Sequence, residues 1–171
     1  MDFLTLATAR YSVRKFSDQP VETEKLNKIL EAGKIAPTAK NNQPQKIYVL
    51  QSADALEKVN GLTKCIYGAK TVLLCAYDKN QVWSNPLETV ETAGEVDVSI
   101  VATHMMLQAQ ELGIGSCWVG LFPPQKTREV FGLPENEVPV LLLPLGYPAD
   151  GAAPSERHTR RKTLTETVKY L

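Results

Sequence analysis

The sequence is short of cysteine and histidine and has no surplus charge of either sign. Three cysteines, Cys65, Cys75 and Cys117, and two histidines, His104 and His158, are scattered over 171 residues without a Cys-x-x-Cys pair. That spacing excludes a zinc site or a disulfide framework, and the three thiols are expected to be buried. Lysine plus arginine number 19 and aspartate plus glutamate 19, so no overall basic field exists to hold a nucleic acid, although a local basic pocket remains open. Long apolar runs are missing too. The longest candidates, Val72 to Tyr77 and Val138 to Leu145, are strand-sized and far below the twenty or so residues of a membrane span. The first ten residues carry Asp2 and no apolar core, which reads as a cytoplasmic protein without an export signal. No internal repeat and no Gly-x-Gly-x-x-Gly dinucleotide turn is found.

What is present suits one globular domain over residues 1–171. With 43% hydrophobic residues, such a chain buries roughly 70% of its unfolded surface and needs no staples.

Local signals set the expected elements. A helix is expected from about Asp2 to Arg10, and a second from Thr23, with Thr23 as N-cap and Val21 stapling the first turn. Leu26, Ile29, Leu30, Gly33 and Ala36 give it one apolar stripe before Pro37 stops it. Residues 37–44, bracketed by Pro37 and Pro44, form a loop. Lys46 to Leu50 and Lys70 to Tyr77 read as strands around a short helix from Ala53 to Asn60, and the second strand, apolar on both faces, is central. Asp78 to Glu88, holding Trp83, has no period and reads as a loop or lid. From Val90 to Leu112 apolar residues occur all round a helix, so it must be the hub of the core or of a dimer interface, with Gly113 as its left-handed cap. Ser116 to Val119 is an expected strand, Pro124 to Phe131 a helix and Val138 to Leu145 another strand. An extended basic tail closes in one short helical turn. This order gives an α+β or α/β domain with a small central mixed sheet flanked by helices.

Three polar clusters carry possible chemistry. In Arg10-Tyr11-Ser12-Val13-Arg14, alternate residues of an extended segment put two guanidinium forks and a hydroxyl on one side, the set that grips a phosphate. The same residues equally suit a solvated cationic helix end. The loop Pro37 to Pro44 and the glycine-rich turn Gly113 to Gly120 let backbone approach a ligand, or merely turn tightly. Arg157, Arg160, Arg161 and Lys162 alone are a solvated charge run. His104 reads as a hydrogen-bonded core histidine, and Glu95 and Asp97 as complements to a helix dipole.

Taken in order, Arg10-x-Ser12-x-Arg14-x-Phe16, Ala36-Pro37-Thr38-Ala39-x-Asn41-x-Gln43-Pro44, Leu112-Gly113-Ile114-Gly115-Ser116-x-Trp118-Val119-Gly120 and Arg161-Lys162-x-Leu164 resemble the nitroreductase family in its short form. The resemblance implies an intertwined homodimer with FMN at the subunit interface. It implies that Arg10, Tyr11, Ser12 and Arg14 bind the cofactor, with Arg10 on the phosphate and Arg14 at the pyrimidine edge. Pro37, Thr38, Ala39, Asn41 and Gln43 then come from the other subunit. Trp118, Val119 and Gly120 bring a backbone N–H to the flavin ring, and Arg161 adds a second phosphate contact. Tyr11 stands where a basic residue is common in the family, and Thr163 where proline is usual.

The implied function is an FMN-dependent oxidoreductase that uses NAD(P)H to reduce a nitroaromatic, quinone or related small molecule in two half-reactions. The chemistry belongs to the flavin, so no catalytic residue is named and no metal is required. Dehalogenation, consumption of the flavin itself, and a non-catalytic flavin carrier are the alternatives.

Overall fold

A computed structural model describes residues 2–87 and 92–171. Its elements are α1 (Phe3–Ala9), α2 (Thr23–Lys34), a one-turn 3₁₀ helix (Ala39–Asn41), β1 (Gln45–Leu50), α3 (Ala53–Leu62), β2 (Thr71–Asp78), α4 (Gly94–Glu111), β3 (Gly115–Ser116), α5 (Pro124–Phe131), β4 (Glu137–Gly146) and α6 (Leu164–Thr167). The four strands lie in the order β1-β2-β4-β3.

The α+β class is as expected, but the sheet is not mixed. All three strand pairs are antiparallel, and the parallel pairing is an isolated bridge between Ser12 and Ser116. Because side chains alternate along a strand, each central strand feeds two cores. Leu73 and Cys75 of β2 with Leu141, Leu143 and Leu145 of β4 pack against α2 and α4. Val72, Leu74 and Leu142 face the opposite layer, which holds Val13, Phe16, Val59 and Ile66. Coverage on both sides explains why β2 shows no polar alternation.

Several local expectations are corrected. Thr23 is the first residue of α2 and not its cap; Glu22 occupies the cap position without a side-chain bond. The strand expected over 116–119 is only Gly115–Ser116, because the chain turns away and returns through a single Val119–Leu142 bridge. Cys75 and Cys117 are buried, whereas Cys65 is only half-buried. Removal from water pushes the Cys75 thiol up to about 12. Glu88, Val90 and Glu91 lie outside the described residues, so the start expected for the long helix and the end of the lid do too. From Gly94 onward α4 runs as expected, and Gly113 takes φ +74° just beyond it. In the tail Thr163 caps α6 in a reciprocal box with Glu166, a role that proline, with neither a backbone N–H nor a hydroxyl, could not fill. Among the described residues no helix is long and apolar enough to cross a membrane.

Gly115 sits where two segments nearly touch. A Cβ there would lie 2.6 Å from Val13 Cγ2 and 3.2 Å from the Gly146 carbonyl oxygen. Val13 is buried and β-branched, so it has no free rotamer to yield. Gly115→Ala is therefore expected to cost about 1–3 kcal/mol in urea unfolding. Gly61→Ala, in open space on α3, should stabilise by about 0.5 kcal/mol. Equal effects of the two substitutions would show that the close approach at Gly115 is not tight.

Candidate functional site

The basic segment after α1 is held open by the fold. Asp2 caps α1 by accepting from the Thr5 amide at 3.1 Å, and Arg10 leaves the helix in an extended conformation. The Val13 amide then donates to the Ser116 carbonyl at 3.0 Å, and those of Phe16 and Ser17 to the Tyr67 and Tyr147 carbonyls at 3.3 and 2.9 Å. Val13 and Phe16 point into the core while Arg14 stays exposed. A strand-like segment fastened by these bonds presents its remaining side chains outward.

The tail meets those side chains. Arg10, Tyr11, Ser12 and Arg14 share a cavity of about 220 Å³ with Ser155, Arg157, His158 and Arg161. Sequence reasoning anticipated Arg10, Tyr11, Ser12, Arg14 and Arg161, and the fold brings all five together across almost 150 residues of chain. It missed Ser155, Arg157 and His158. The only signal for them was the basic run itself, and the turn that aims them, closed by the His158 amide on the Ser155 carbonyl at 2.8 Å, is not marked by a motif. No carboxylate lines the cavity.

A second shell was invisible in the sequence. Tyr67 has φ +54°, rare for a non-glycine residue, and Arg14 and Cys65 adjoin its phenol. Burial, then the Cys65 thiol, raises the pKa of that phenol, with a hydrogen bond to Arg14 pulling the other way. Burial likewise pushes the Cys117 thiol up, opposed by the Arg14 cation and the Ser12 hydroxyl.

The other two clusters lie elsewhere on the protomer. In the loop after α2, Lys40, Asn41 and Gln43 all adopt positive φ, near 50–55°. The conformation is braced by the Gln43 amide donating to Thr38 Oγ1 at 3.0 Å and the Ala39 amide donating to Asp97 Oδ1 at 2.9 Å. Asp97 is 2% exposed and fastens this loop, a role beyond complementing the α4 dipole. None of Pro37, Thr38, Ala39, Asn41 or Gln43 lines the arginine cavity. In the turn after β3, Trp118 is exposed and Val119 buried. The Val119 amide is spent on the Leu142 carbonyl at 2.9 Å, whereas the Gly120 amide has no acceptor among the described residues. Gly120 borders a separate cavity of about 580 Å³ with Thr63, Lys64, Cys65 and Leu121.

His104 is hydrogen-bonded as expected, donating from Nδ1 to the Ile100 carbonyl at 2.9 Å, but it is not in the core. It is half-buried and lines an open hollow of about 480 Å³ on α4 with Glu95, Val96, Ser99, Ile100 and Thr103. The helix expected to be the hub of the core or of a dimer interface thus leaves one face bare in the single chain.

Comparison with known proteins places this architecture. The model of the nitroreductase family matches residues 7–66 and 58–147. A crystal structure of a nitroreductase family protein from Clostridium difficile 630 is 42% identical, with TM-score 0.93 over 99% of this chain and 98% of that one. An FMN reductase [NAD(P)H] of Bacillus subtilis strain 168 is 30% identical over 168 residues, covering 88% of this chain and 67% of the relative. A structure from Exiguobacterium sibiricum 255-15, solved in complex with FMN, shares the fold with TM-score 0.82 at 20% identity over 100% of this chain and 98% of that one. A family match that begins inside α1, before the first arginine, and runs one residue past β4, joined to a solved homologue superimposing over nearly the whole length, means that this chain belongs to the nitroreductase family.

Proposed function

We propose that the chain is an FMN-dependent oxidoreductase fed by NAD(P)H and active as a homodimer. The observation that carries this reading is the cavity in which four guanidinium groups and two serine hydroxyls converge with no carboxylate among them. That donor set fits a phosphate monoester: forked, permanently charged donors match its oxygens, and an acid-free lining leaves its charge unopposed. When bound, FMN supplies two-electron redox chemistry, passing reducing equivalents from NAD(P)H to a small acceptor such as a nitroaromatic or a quinone.

The chain's own groups then divide the labour. Arg10 and Arg161, reaching the cavity from opposite ends of the sequence, hold the phosphate, and Ser12 adds a hydroxyl. Arg14, held by its contact with Tyr67, sets a positive charge beside the ring, which favours electron uptake. The free Gly120 amide offers a donor to the ring edge. Thr38, Asn41 and Gln43 reach the cofactor from a second copy, which accounts for their separation from the arginine cavity within one protomer.

The second copy is supported by uncovered apolar surface. Val96 is 60% exposed on the open face of α4, and Leu164 and Tyr170 of the tail are 78% and 96% exposed. Covering such surface is a principal source of dimer stability. Sedimentation at micromolar concentration should show a dimer stabilised by flavin; a well-folded, flavin-loaded monomer would contradict the arrangement.

Purified protein should be yellow and release FMN on heating, and it should oxidise NADH or NADPH when given a nitroaromatic or quinone. Recovery of FAD, or no flavin after reconstitution, overturns the cofactor assignment. Arg10→Ala and Arg161→Ala should each weaken FMN binding by about 1.5–3 kcal/mol, the scale of a lost charge-assisted hydrogen bond. His104→Gln, whose imidazole is committed to a backbone carbonyl away from the cavity, should leave flavin reduction within about tenfold of the native rate in stopped flow. A slowing beyond roughly a hundredfold, the effect of losing a general acid, would mean that a side-chain proton donor is needed.

A further inference from the structure

His158 is the one half-buried residue beyond Ala152, so it is the point at which the tail seats on the body. The Tyr11 ring meets it edge-on, centroids 6.2 Å apart and planes at 67°. Among the described residues neither of its ring nitrogens has a hydrogen-bond partner, unlike that of His104. A histidine kept only for packing has no reason to stand among cations, yet the groups facing this one are Arg10, Arg14 and Tyr11 after α1, and Arg157 and Arg161 of its own tail. On its other side, Leu4, Ala7 and Thr8 of α1 and Thr159 carry no charge. The nearest carboxylate in the sequence, Glu156, is paired with Arg160 at 3.6 Å.

We propose that His158 is a phosphate ligand of this cavity that takes up a proton when a phosphate monoester enters, making the site's affinity rise as pH falls toward the imidazole range. The identity of the phosphate carrier as FMN rests on the function proposed above. An imidazolium among four guanidinium groups is repelled until a dianion arrives, and is then attracted, so the two binding events reinforce each other. Imidazoles titrate close to pH 6.5, whereas the second ionisation of a phosphate monoester lies near pH 6. Between about pH 8.5 and 6.5 the phosphate therefore stays largely dianionic and able to draw a proton onto an imidazole beside it. Binding that takes up a proton tightens as pH falls, and one partly exposed charge pair supports a gain of about two- to threefold over that range.

The chain has only two histidines, so their Cε1–H resonances can be assigned with His158→Gln or, independently, His104→Gln. On saturation with FMN, the titration midpoint of His158 should rise by about half a pH unit or more while that of His104 stays. Riboflavin, which lacks the phosphate, should leave both unmoved. Fluorescence titrations at pH 6.5, 7.5 and 8.5 should show FMN affinity rising about two- to threefold more in the native protein than in His158→Gln as pH falls. FMN binding with equal pH slopes, an unmoved His158 midpoint, or an equal shift with riboflavin each overturn the proposal. Absence of flavin uptake by the native protein at every pH instead removes the cofactor reading, and the proposal with it. If His158→Gln fails to fold, the native resonances assigned through His104→Gln decide alone.

Discussion

The Val13 amide donates to the Ser116 carbonyl at 3.0 Å, and the basic cavity depends on that join. It fastens the start of the segment after α1 to the short edge strand β3, with the absent side chain of Gly115 making room for Val13. Once Val13 faces the core, Ser12 and Arg14 are left on the outer side by the two-residue period of extended backbone. The same join begins the turn that spends the Val119 amide on β4 and leaves that of Gly120 free. One close approach between backbones therefore positions two of the three ligand-facing clusters.

Electrostatics explain why a chain of zero net charge can still be strongly cationic in one place. Six of the seven ion pairs among the described residues are local on a helix or turn, and all but the one made by half-buried Lys25 are solvent-exposed. Such pairs contribute little to stability, but they occupy the carboxylates away from the cavity. The four arginines of the site are left facing one another, held by covalent geometry and backbone bonds against mutual repulsion. An incoming dianion offsets part of that repulsion and joins the tail to the body, so cofactor binding and tail docking draw on one charge arrangement.

The loop after α2 follows a different logic. Three non-glycine residues with positive φ are unfavourable, and they persist because Thr38 and buried Asp97 accept the amides that this geometry presents. Asp97 belongs to α4, whose opposite face is bare in a single chain. The helix that shapes the loop is thus the helix that offers surface to a second copy, which links cofactor geometry to assembly.

Strands, helices and the two-faced core were legible in the sequence because they follow from local periodicity: β2 has apolar residues on both faces, α2 carries one stripe, and Gly113 ends α4. The arginine motif and Arg161 were legible as an ordered resemblance. Less readable were features set by distant partners. That the sheet is antiparallel throughout, that Thr23 follows the α2 cap, that β3 ends at Ser116, and that His104 lies at a bare helix face all depend on what packs alongside. Tyr67 and His158 escaped notice, and Asp97 was read only as a complement to a helix dipole, for the same reason: each acts on residues tens of positions away, through contacts that no spacing rule encodes. The sequence by itself determined element types and the family's motifs, since those rest on side-chain period and turn chemistry within a few residues. Only the tertiary structure decided which cations share a cavity, which amides remain free and which apolar faces stay uncovered, because those depend on where chain closure places groups that local forces never bring together.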